Sequence, residues 1–575
     1  MFRRRAAMLS LFLLTATVPL RAQSSGIPDT WPMRGRAVVT DAERAVVVSG
    51  HPIASEVGRD VLRRGGNAID AAVAVAFALA VVHPEAGNIG GGGFLIYRRA
   101  AGPLYALDFR ERAPLASTRT MYVGADGKRT GKSHTGHFAS GVPGSVAGAV
   151  EAHRRFGRLP WKSLVEPAVK LARDGFLIDE YRSKSIADDT TRLKQFEASA
   201  AQFLPGGAPP APGTIFRQPD LARTLEAIRD RGAAGFYRGW VADSIAAEMR
   251  RGGGIITKAD LNAYRTVWRV PVRLSYRGYT LYSMPPVSSG GVTLGMILNV
   301  MEGFGTLPAF GSAALLHREA EAMRRAYIVR NTSLGDPAFV SNPVARLISK
   351  PFGRRLRSLI DTARATPTPE AIKQLEEGPS TTHFSVVDSA GNAVSFTTTI
   401  NSLYGNAVTV RGAGFLLNDE MDDFTTLPGA SNQWGSVDGQ KNLIVPGKRP
   451  LSSMTPTIVL DPKGRLFMVL GSPGGTTIIV TVYHVVSNVI DHGMTLADAV
   501  TAPRMFHQAR PDSLQFERKD NGPVGVLETT VAELMRLGHS IRYRDYMGDV
   551  EAIIRTPTGW QGVSDPRRGG GGAGY

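Results

Sequence analysis

Thr381, Thr399 and Asn401 have the types and spacing for covalent chemistry. The chain reads Gly378-Pro379-Ser380-Thr381-Thr382-His383-Phe384-Ser385-Val386-Val387-Asp388, then a turn Ser389-Ala390-Gly391-Asn392, then an extended run from Ala393 to Thr399 that leads into Ile400 and Asn401. A hairpin turning about Ala390 sets Thr381 opposite Thr399. The two-residue repeat of a strand carries Asn401 to the same face as Thr399. Two hydroxyls and an amide then stand together at the mouth of a strand pair. A threonine hydroxyl needs a base beside it, and the handiest is its own α-amine, which is free only once the Ser380–Thr381 bond is cut. Such an amine has a reference pKa of roughly 7.7–8.0, so part of it is neutral near pH 7–8. A pair of threonines also opens many ordinary strands, so this motif alone decides little.

Further polar groups follow the same hairpin. Leu417-Asn418-Asp419-Glu420-Met421-Asp422-Asp423-Phe424 packs four acids into five positions. No histidine cluster accompanies it, and the Gly and Glu spacing of a calcium loop is missing, so no metal site is expected. A cationic amine suits it better, with a solvated acidic turn as the plainer alternative. Lys448-Arg449-Pro450-Leu451-Ser452-Ser453-Met454 offers two adjacent hydroxyls. The chain has no Gly-x-Ser-x-Gly elbow, so Ser452 and Ser453 read as donors rather than nucleophiles. Gly471-Ser472-Pro473-Gly474-Gly475 leaves an apolar strand and enters an apolar helix. Paired glycine N–H groups at such a junction form a ready oxyanion hole, or an ordinary turn.

The elements that must hold these groups are legible in outline. A helix from Ser55 to Arg64 is stopped by Gly65-Gly66, and Asn67 caps a second helix, Ala68 to Val82. The second helix is apolar nearly all round, which predicts a buried core helix. The run Gly90-Gly91-Gly92-Gly93 leads from helix into strand, the reverse of a phosphate cradle, so it predicts close backbone packing and no nucleotide site. Strands are expected at Phe94–Tyr97, Leu104–Arg110 and within Leu274–Met284, with a helix at Val292–Met301. Residues 361–380 form a polar tether. Beyond it, strands are expected at 381–387, 393–400, 406–417, 455–460 and 465–470. The glycine-rich tail from Arg567 to Tyr575 is either mobile or tucked in.

Composition narrows the chemistry. The 575 residues include no cysteine, which excludes a thiol nucleophile, a cysteine-held metal and any disulfide. Met1-Phe2-Arg3-Arg4-Arg5, the apolar Ala6–Leu20 and Leu20-Arg21-Ala22 have the shape of a secretory signal peptide, cut near Ala22. The apolar part is short for a membrane span. Removing residues 1–22 lowers the net charge from +17 to +13. No nucleic-acid module or dense basic block accompanies that charge, which scattered solvated arginines explain.

Taken together, Thr381–Asp388, Asn418–Phe424, Lys448–Met454 and Gly471–Gly475 resemble the signature blocks of γ-glutamyltransferases, also called glutathione hydrolases. So do Gly65–Ala71, the glycine run, Asp108-Phe109-Arg110-Glu111 and Gly141–Ser145, all in the family's order over nearly the whole mature chain. The resemblance implies an α+β fold, a four-layer αββα sandwich of the N-terminal-nucleophile hydrolase type. The precursor would cut itself at Ser380–Thr381 into a large subunit (23–380) and a small catalytic subunit (381–575) that stay together as one intertwined heterodimer.

By the same resemblance Thr381 attacks the γ-carbonyl of glutathione or another γ-glutamyl donor, Thr399 orients it, and Gly474 and Gly475 hold the oxyanion. Arg110, Ser452 and Ser453 grip the α-carboxylate, and Asn401, Glu420 and Asp423 grip the α-amine. The acyl group passes to water or to an amino-acid or peptide acceptor, without a cofactor, in the periplasm or outside the cell. Glu420 stands where many bacterial members carry Gln. Pro428–Gly439 has the length of the family's lid, with Trp434 near the place of its aromatic residue. Ile328-Val329 departs from the usual Ala-Asp, and nothing in the sequence explains it. The rival readings are a cephalosporin (glutaryl) acylase on the same scaffold and a non-catalytic γ-glutamyl-binding protein. A glutaryl donor lacks the amine that Glu420 and Asp423 suit, and a binding protein would be expected to have lost Thr381.

Overall fold

The computed structural model describes residues 26–368, 381–427, 429–433 and 439–575. The expected leader at 1–22, Ser380 and Trp434 lie outside them. Two seven-stranded sheets carry the architecture. The first runs Gly571–Gly574, Val46–Ser49, Thr381–Val387, Ala393–Thr399, Gly92–Arg98, Leu104–Asp108 and Val267–Arg269. The second runs Val38–Ala42, Trp560–Ser564, Glu551–Arg555, Leu466–Leu470, Thr457–Leu460, Tyr279–Ser283 and Val272–Tyr276. Segments from before and after position 380 are interleaved in both sheets.

Side-chain alternation explains the layering, because successive residues of a strand point to opposite faces. Val46, Val48, Phe94, Ile96, Ile458, Val469 and Ile553 meet between the sheets. Their neighbours Val47, Leu95, Tyr97, Phe384 and Phe396 face helices on one outer side. Val459, Met468, Leu470 and Ala552 face helices on the other. The result is the expected αββα sandwich.

The helix Ala68–Val82 is buried along nearly its whole length. It packs on the strands Thr381–Val387 and Ala393–Thr399 and on the helices Pro52–Arg63 and Trp161–Asp174. The Asn67 side chain accepts from the N–H groups of Ile69 and Asp70, and Asp70 accepts from the Asn67 N–H, a reciprocal cap. Asp388 accepts the Ala68 N–H at 2.9 Å and also the N–H groups of Ala390 and Asn392. One carboxylate therefore ties the hairpin turn to the start of the central helix.

The glycine run behaves as its direction implied. A Cβ on Gly90 would lie 2.0 Å from the Leu416 carbonyl oxygen, and one on Gly91 2.0 Å from that of Thr399. The tail is tucked in: Gly571–Gly574 pairs antiparallel with Val46–Ser49. A Cβ on Gly572 would strike Thr40 Oγ1 at 2.6 Å.

Two expectations need correction. The first helix begins at Pro52 rather than Ser55, because His51 Nδ1 accepts the Ile53 N–H and proline suits the first helical position. Residues 406–417 form no strand, only an isolated bridge between Thr409 and Leu416. Ala407, Gly412 and Gly414 have φ of 65°, 72° and 73°, which turn the run back on itself. Val410 N–H donates to the Phe415 carbonyl and Leu417 N–H to that of Val408. The apolar residues are buried as a compact loop.

Gly91→Ala should destabilise the fold by roughly 1–3 kcal/mol, the usual scale of overpacking, and displace the Thr399 backbone. Thermal unfolding together with turnover would check this. An unchanged melting temperature with full activity would show that the backbone approach at Gly91 is not tight.

Candidate active site

The hairpin register places the two hydroxyls. Thr381 pairs with Thr399, and the pairing continues to Val387 opposite Ala393. Phe384 and Val386 face the helices, so Thr381, His383 and Ser385 point between the sheets. Ser385 Oγ donates to the Glu551 carbonyl at 2.8 Å and Ser395 Oγ to that of Leu470 at 2.9 Å. His383 is held between Thr397 and Ser385, and burial lowers its pKa to about 3, leaving it neutral. A polar strip thus stitches the sheets and ends at the threonine pair.

At that end Thr381 Oγ1 donates to Thr399 Oγ1 at 3.2 Å, and Thr399 Oγ1 accepts the Asn401 N–H at 2.9 Å. Asn401 adopts φ of 74°, and its Nδ2 donates to the Asp419 carbonyl. The three residues share a cavity of about 30 Å³ with Arg110, Glu420, Asp423, Ser452, Ser453 and Gly475. Gly474 lines the neighbouring cavity. Except for Ser380 and Trp434, the site residues expected from the sequence therefore converge on one place.

The acidic run divides by its geometry. Glu420–Asp423 is a turn of 3₁₀ helix, in which residues three apart share a face. Asp419 accepts from Ser402 and Gln433, and Asp422 accepts from Ser133 and the Gln433 N–H. Those two acids are structural. Glu420 and Asp423 face Arg110, whose guanidinium pairs with Glu420 and lies 2.5 Å from Asp423. The family resemblance gives these acids to a substrate ammonium; in the structure Arg110 is the cation beside them.

Arg110 is fixed through its backbone. Its N–H donates to Asp108 Oδ1, and its carbonyl accepts from the Tyr264 hydroxyl at 2.8 Å. Burial, opposed by Arg110, pushes Glu420 well above the usual carboxylate range. The same balance brings Asp423 to about 6 and the adjoining Glu111 to about 7. Burial is the larger cause in all three, so one guanidinium only partly offsets three enclosed carboxyls.

The serine loop is clamped from several sides. Lys448 Nζ donates to the carbonyls of Lys441 and Leu443, and Arg449 N–H to Asp336. Ser452 Oγ accepts the Met454 N–H. Ser453 Oγ accepts from Arg330 Nη2 at 3.2 Å, while Arg330 Nε donates to Ser289 Oγ. Arg330 is buried at the pocket wall, and the sequence reading missed it. Its block, Ala326–Arg330, stood out only for the Ile328-Val329 departure; helical spacing turns Ile328 outward and Arg330 inward. Gly474 and Gly475 have φ of 132° and 56° and precede the helix Ile478–Ile490. Their turn is held by Thr477 Oγ1, which donates to the Gly474 carbonyl.

A threonine hydroxyl opening an inner strand of an αββα sandwich defines the N-terminal-nucleophile hydrolase class. The chain belongs to the gamma-glutamyltranspeptidase family, whose family model matches residues 54–575. It is 42% identical to the glutathione hydrolase proenzyme of Escherichia coli strain K12, over 98% of each chain. It is 47% identical to that of Pseudomonas sp. strain A14, over 83% of this chain and 84% of the relative. Among solved structures, cephalosporin acylase from Bacillus halodurans superposes with a TM-score of 0.83 at 28% identity, covering 95% of this chain and 99% of that one.

Thr399→Val should lower stability by about 1–3 kcal/mol by withdrawing the acceptor of the buried Asn401 N–H, and Thr399→Ser should recover most of it. Denaturant unfolding of the three proteins decides this. Equal stability of wild type and valine variant would remove Thr399 as the anchor of Asn401.

Proposed function

We propose that this enzyme transfers γ-glutamyl groups from glutathione and related donors to water or to amino-acid and peptide acceptors, with Thr381 as the nucleophile. The observation that carries the reading is the Thr381–Thr399 hydroxyl pair sharing one pocket with a cation and two acids. The head of a γ-glutamyl donor is a zwitterion, and this pocket holds both complementary charges.

Cleavage at Ser380–Thr381 frees the Thr381 α-amine, which takes the hydroxyl proton as Oγ1 attacks the γ-carbonyl. The N–H groups of Gly474 and Gly475 receive the developing oxyanion. The leaving amine departs with a proton, and the ester on Thr381 is then opened by water or by an acceptor amine. Thr399 orients Thr381. Arg110, Ser452 and Ser453 take the α-carboxylate, while Glu420, Asp423 and Asn401 take the α-amine. Trp434 belongs to the lid. No cofactor enters this chemistry. The interleaved sheets are compatible with two subunits, 23–380 and 381–575, that stay together after the cut. The basic, apolar and small-residue start supports export with loss of residues 1–22. Among the described residues no helix is long and apolar enough to cross a membrane.

Donor entry is an exchange of ion pairs. Arg110, Glu420 and Asp423 line one narrow pocket, and in this reading Arg110 parts from the two acids as the donor enters. The carboxylate then takes Arg110 and the ammonium takes the acids, and no charge is left alone.

Intact-mass analysis should show two chains, the smaller beginning at Thr381, and Thr381→Ala should stay one chain with no turnover of γ-glutamyl-p-nitroanilide. A fully active uncut protein would sink the mechanism.

The exchange also separates this reading from a glutaryl acylase. A glutaryl group would draw Arg110 away and give the acids nothing in return, a penalty on the order of 2–5 kcal/mol. The enzyme should therefore prefer γ-glutamyl over glutaryl p-nitroanilide by at least roughly tenfold in kcat/KM. The gap should narrow as pH falls through about 6, where Asp423 takes up a proton. Equal rates on the two donors at neutral pH would favour the acylase.

A further inference from the structure

The sequence reading spreads the positive charge over scattered arginines, but the structure gathers part of it on one face. Residues 344–365 hold six cationic side chains and one acid, Asp361. They form the short helix Val344–Leu347, the helix Lys350–Ser358 and the segment that follows. Gly353 and Leu356 turn inward. A Cβ on Gly353 would lie 2.5 Å from Asn299 Cβ, and Leu356 joins the apolar layer outside the second sheet. By helical spacing the opposite face carries Arg354, Arg355 and Ser358, all exposed. Arg346 is exposed on the shorter helix and stands over the Phe352 ring at 5.5 Å. Leu359, at the end of the longer helix, is 61% exposed.

The protein does little to offset these charges. Lys350 pairs with Glu302, but Arg346, Arg354, Arg355 and Arg357 make no ion pair among the described residues. Arg318, on the neighbouring helix Ala313–Ser333, and Arg357 both stand over the Phe304 ring, at 5.0 and 5.7 Å. The Nε of each is buried without an acceptor. Like charges gathered in this way create a positive field that an external anion relieves. The face is also set apart from the donor pocket. The helix Gly290–Glu302 starts beside that pocket, where Ser289 Oγ donates to the Ser452 carbonyl at 2.6 Å. Asn299, which meets Gly353, lies about 15 Å further along the helix.

We propose that this face docks the enzyme on an anionic phospholipid surface. Lipid phosphates take the guanidiniums of Arg346, Arg354 and Arg355, and Leu359 enters the boundary between headgroups and acyl chains. A nucleic acid suits the face less well, because arginines already cover the rings of Phe304 and Phe352 and leave bases no stacking surface there. Contact through the far end of the helix Gly290–Glu302 leaves the donor pocket clear of the lipid. The inference is independent of the donor chemistry and adds a location to it.

The test is flotation of the mature enzyme with vesicles of phosphatidylcholine, alone or mixed with phosphatidylglycerol. At about 0.01 M salt the mixed vesicles should bind it at least roughly tenfold better than the neutral ones, and about 1 M salt should release it. The double variant Arg354→Gln/Arg355→Gln should lose most of that binding while keeping its turnover of γ-glutamyl-p-nitroanilide, which shows that it is folded. Arg63→Gln/Arg64→Gln removes the same charge from two exposed positions at the end of the helix Pro52–Arg63, outside the other sheet, and should bind like wild type. Equal binding to both kinds of vesicle overturns the proposal, as does binding that salt does not release. So does an Arg354→Gln/Arg355→Gln enzyme that binds like wild type. Equal losses in the two double variants also overturn it, because net charge rather than this face would then govern binding.

Discussion

The register of one hairpin governs the rest of the site. Thr381 meets Thr399 only because the turn centres on Ala390, and a slip of one residue would send every side chain of the strand to the other face. Asp388 fixes the turn and at the same time caps the helix Ala68–Val82. That helix has almost no polar surface, so it must lie inside, and the hairpin lies against it. Ser385 and Ser395 on the inward face then bind the second sheet, whose strand Leu466–Leu470 leads to the Gly474–Gly475 turn. Register, helix burial and sheet spacing are three views of one constraint.

The acidic run shows how a local helix type can sort chemistry. Four acids in five positions would repel one another on a flexible loop. A single 3₁₀ turn splits them by threes, giving Asp419 to hydroxyl and amide donors, Asp422 to Arg129 and to hydroxyl and amide donors, and Glu420 and Asp423 to Arg110. Asn418 joins this turn to the rest of the wall: its side chain donates to the Gly90 and Gly141 carbonyls and accepts the Gly141 and Glu420 N–H groups. Segments far apart in sequence are thereby drawn to one point, which explains why separate short motifs have to act together.

Much of this was legible in the sequence where a local rule is strong. The caps at Asn67, the apolar helix, the hairpin about Ala390 and the direction of the glycine run each rest on chemistry within a few residues. The run 406–417 misled because its apolar content matched a strand, while positive φ at Ala407, a non-glycine, gives no clear signal in sequence. Arg330 was missed for a related reason. A buried arginine on a long helix looks like any solvated one until the hydroxyls it serves, Ser289 and Ser453, arrive from other segments. The glycine-rich tail read equally as mobile or tucked in, because its small residues show their use only where the last strand passes close to Thr40 and Ala42.

The pairing of Arg110 with Glu420 and Asp423 shows what spacing cannot convey, which is how the walls of the site balance each other's charge. The family resemblance assigns the α-carboxylate to Arg110 and the serines and the α-amine to Asn401, Glu420 and Asp423, and says nothing of how these groups pair with one another. Enclosed acids without a cation would take up protons, and an enclosed guanidinium without an anion would be strongly disfavoured. The chain meets both demands by letting the walls neutralise each other, and Glu111 adds a third carboxyl to the balance. Such a pocket favours ligands that replace both partners at once. A ligand with a single charge breaks one internal pair and leaves its counterpart exposed to a low-dielectric wall. Selectivity for an amino-acid head group then follows from electroneutral exchange, with the protein's own ion pair as the competitor that any ligand must match.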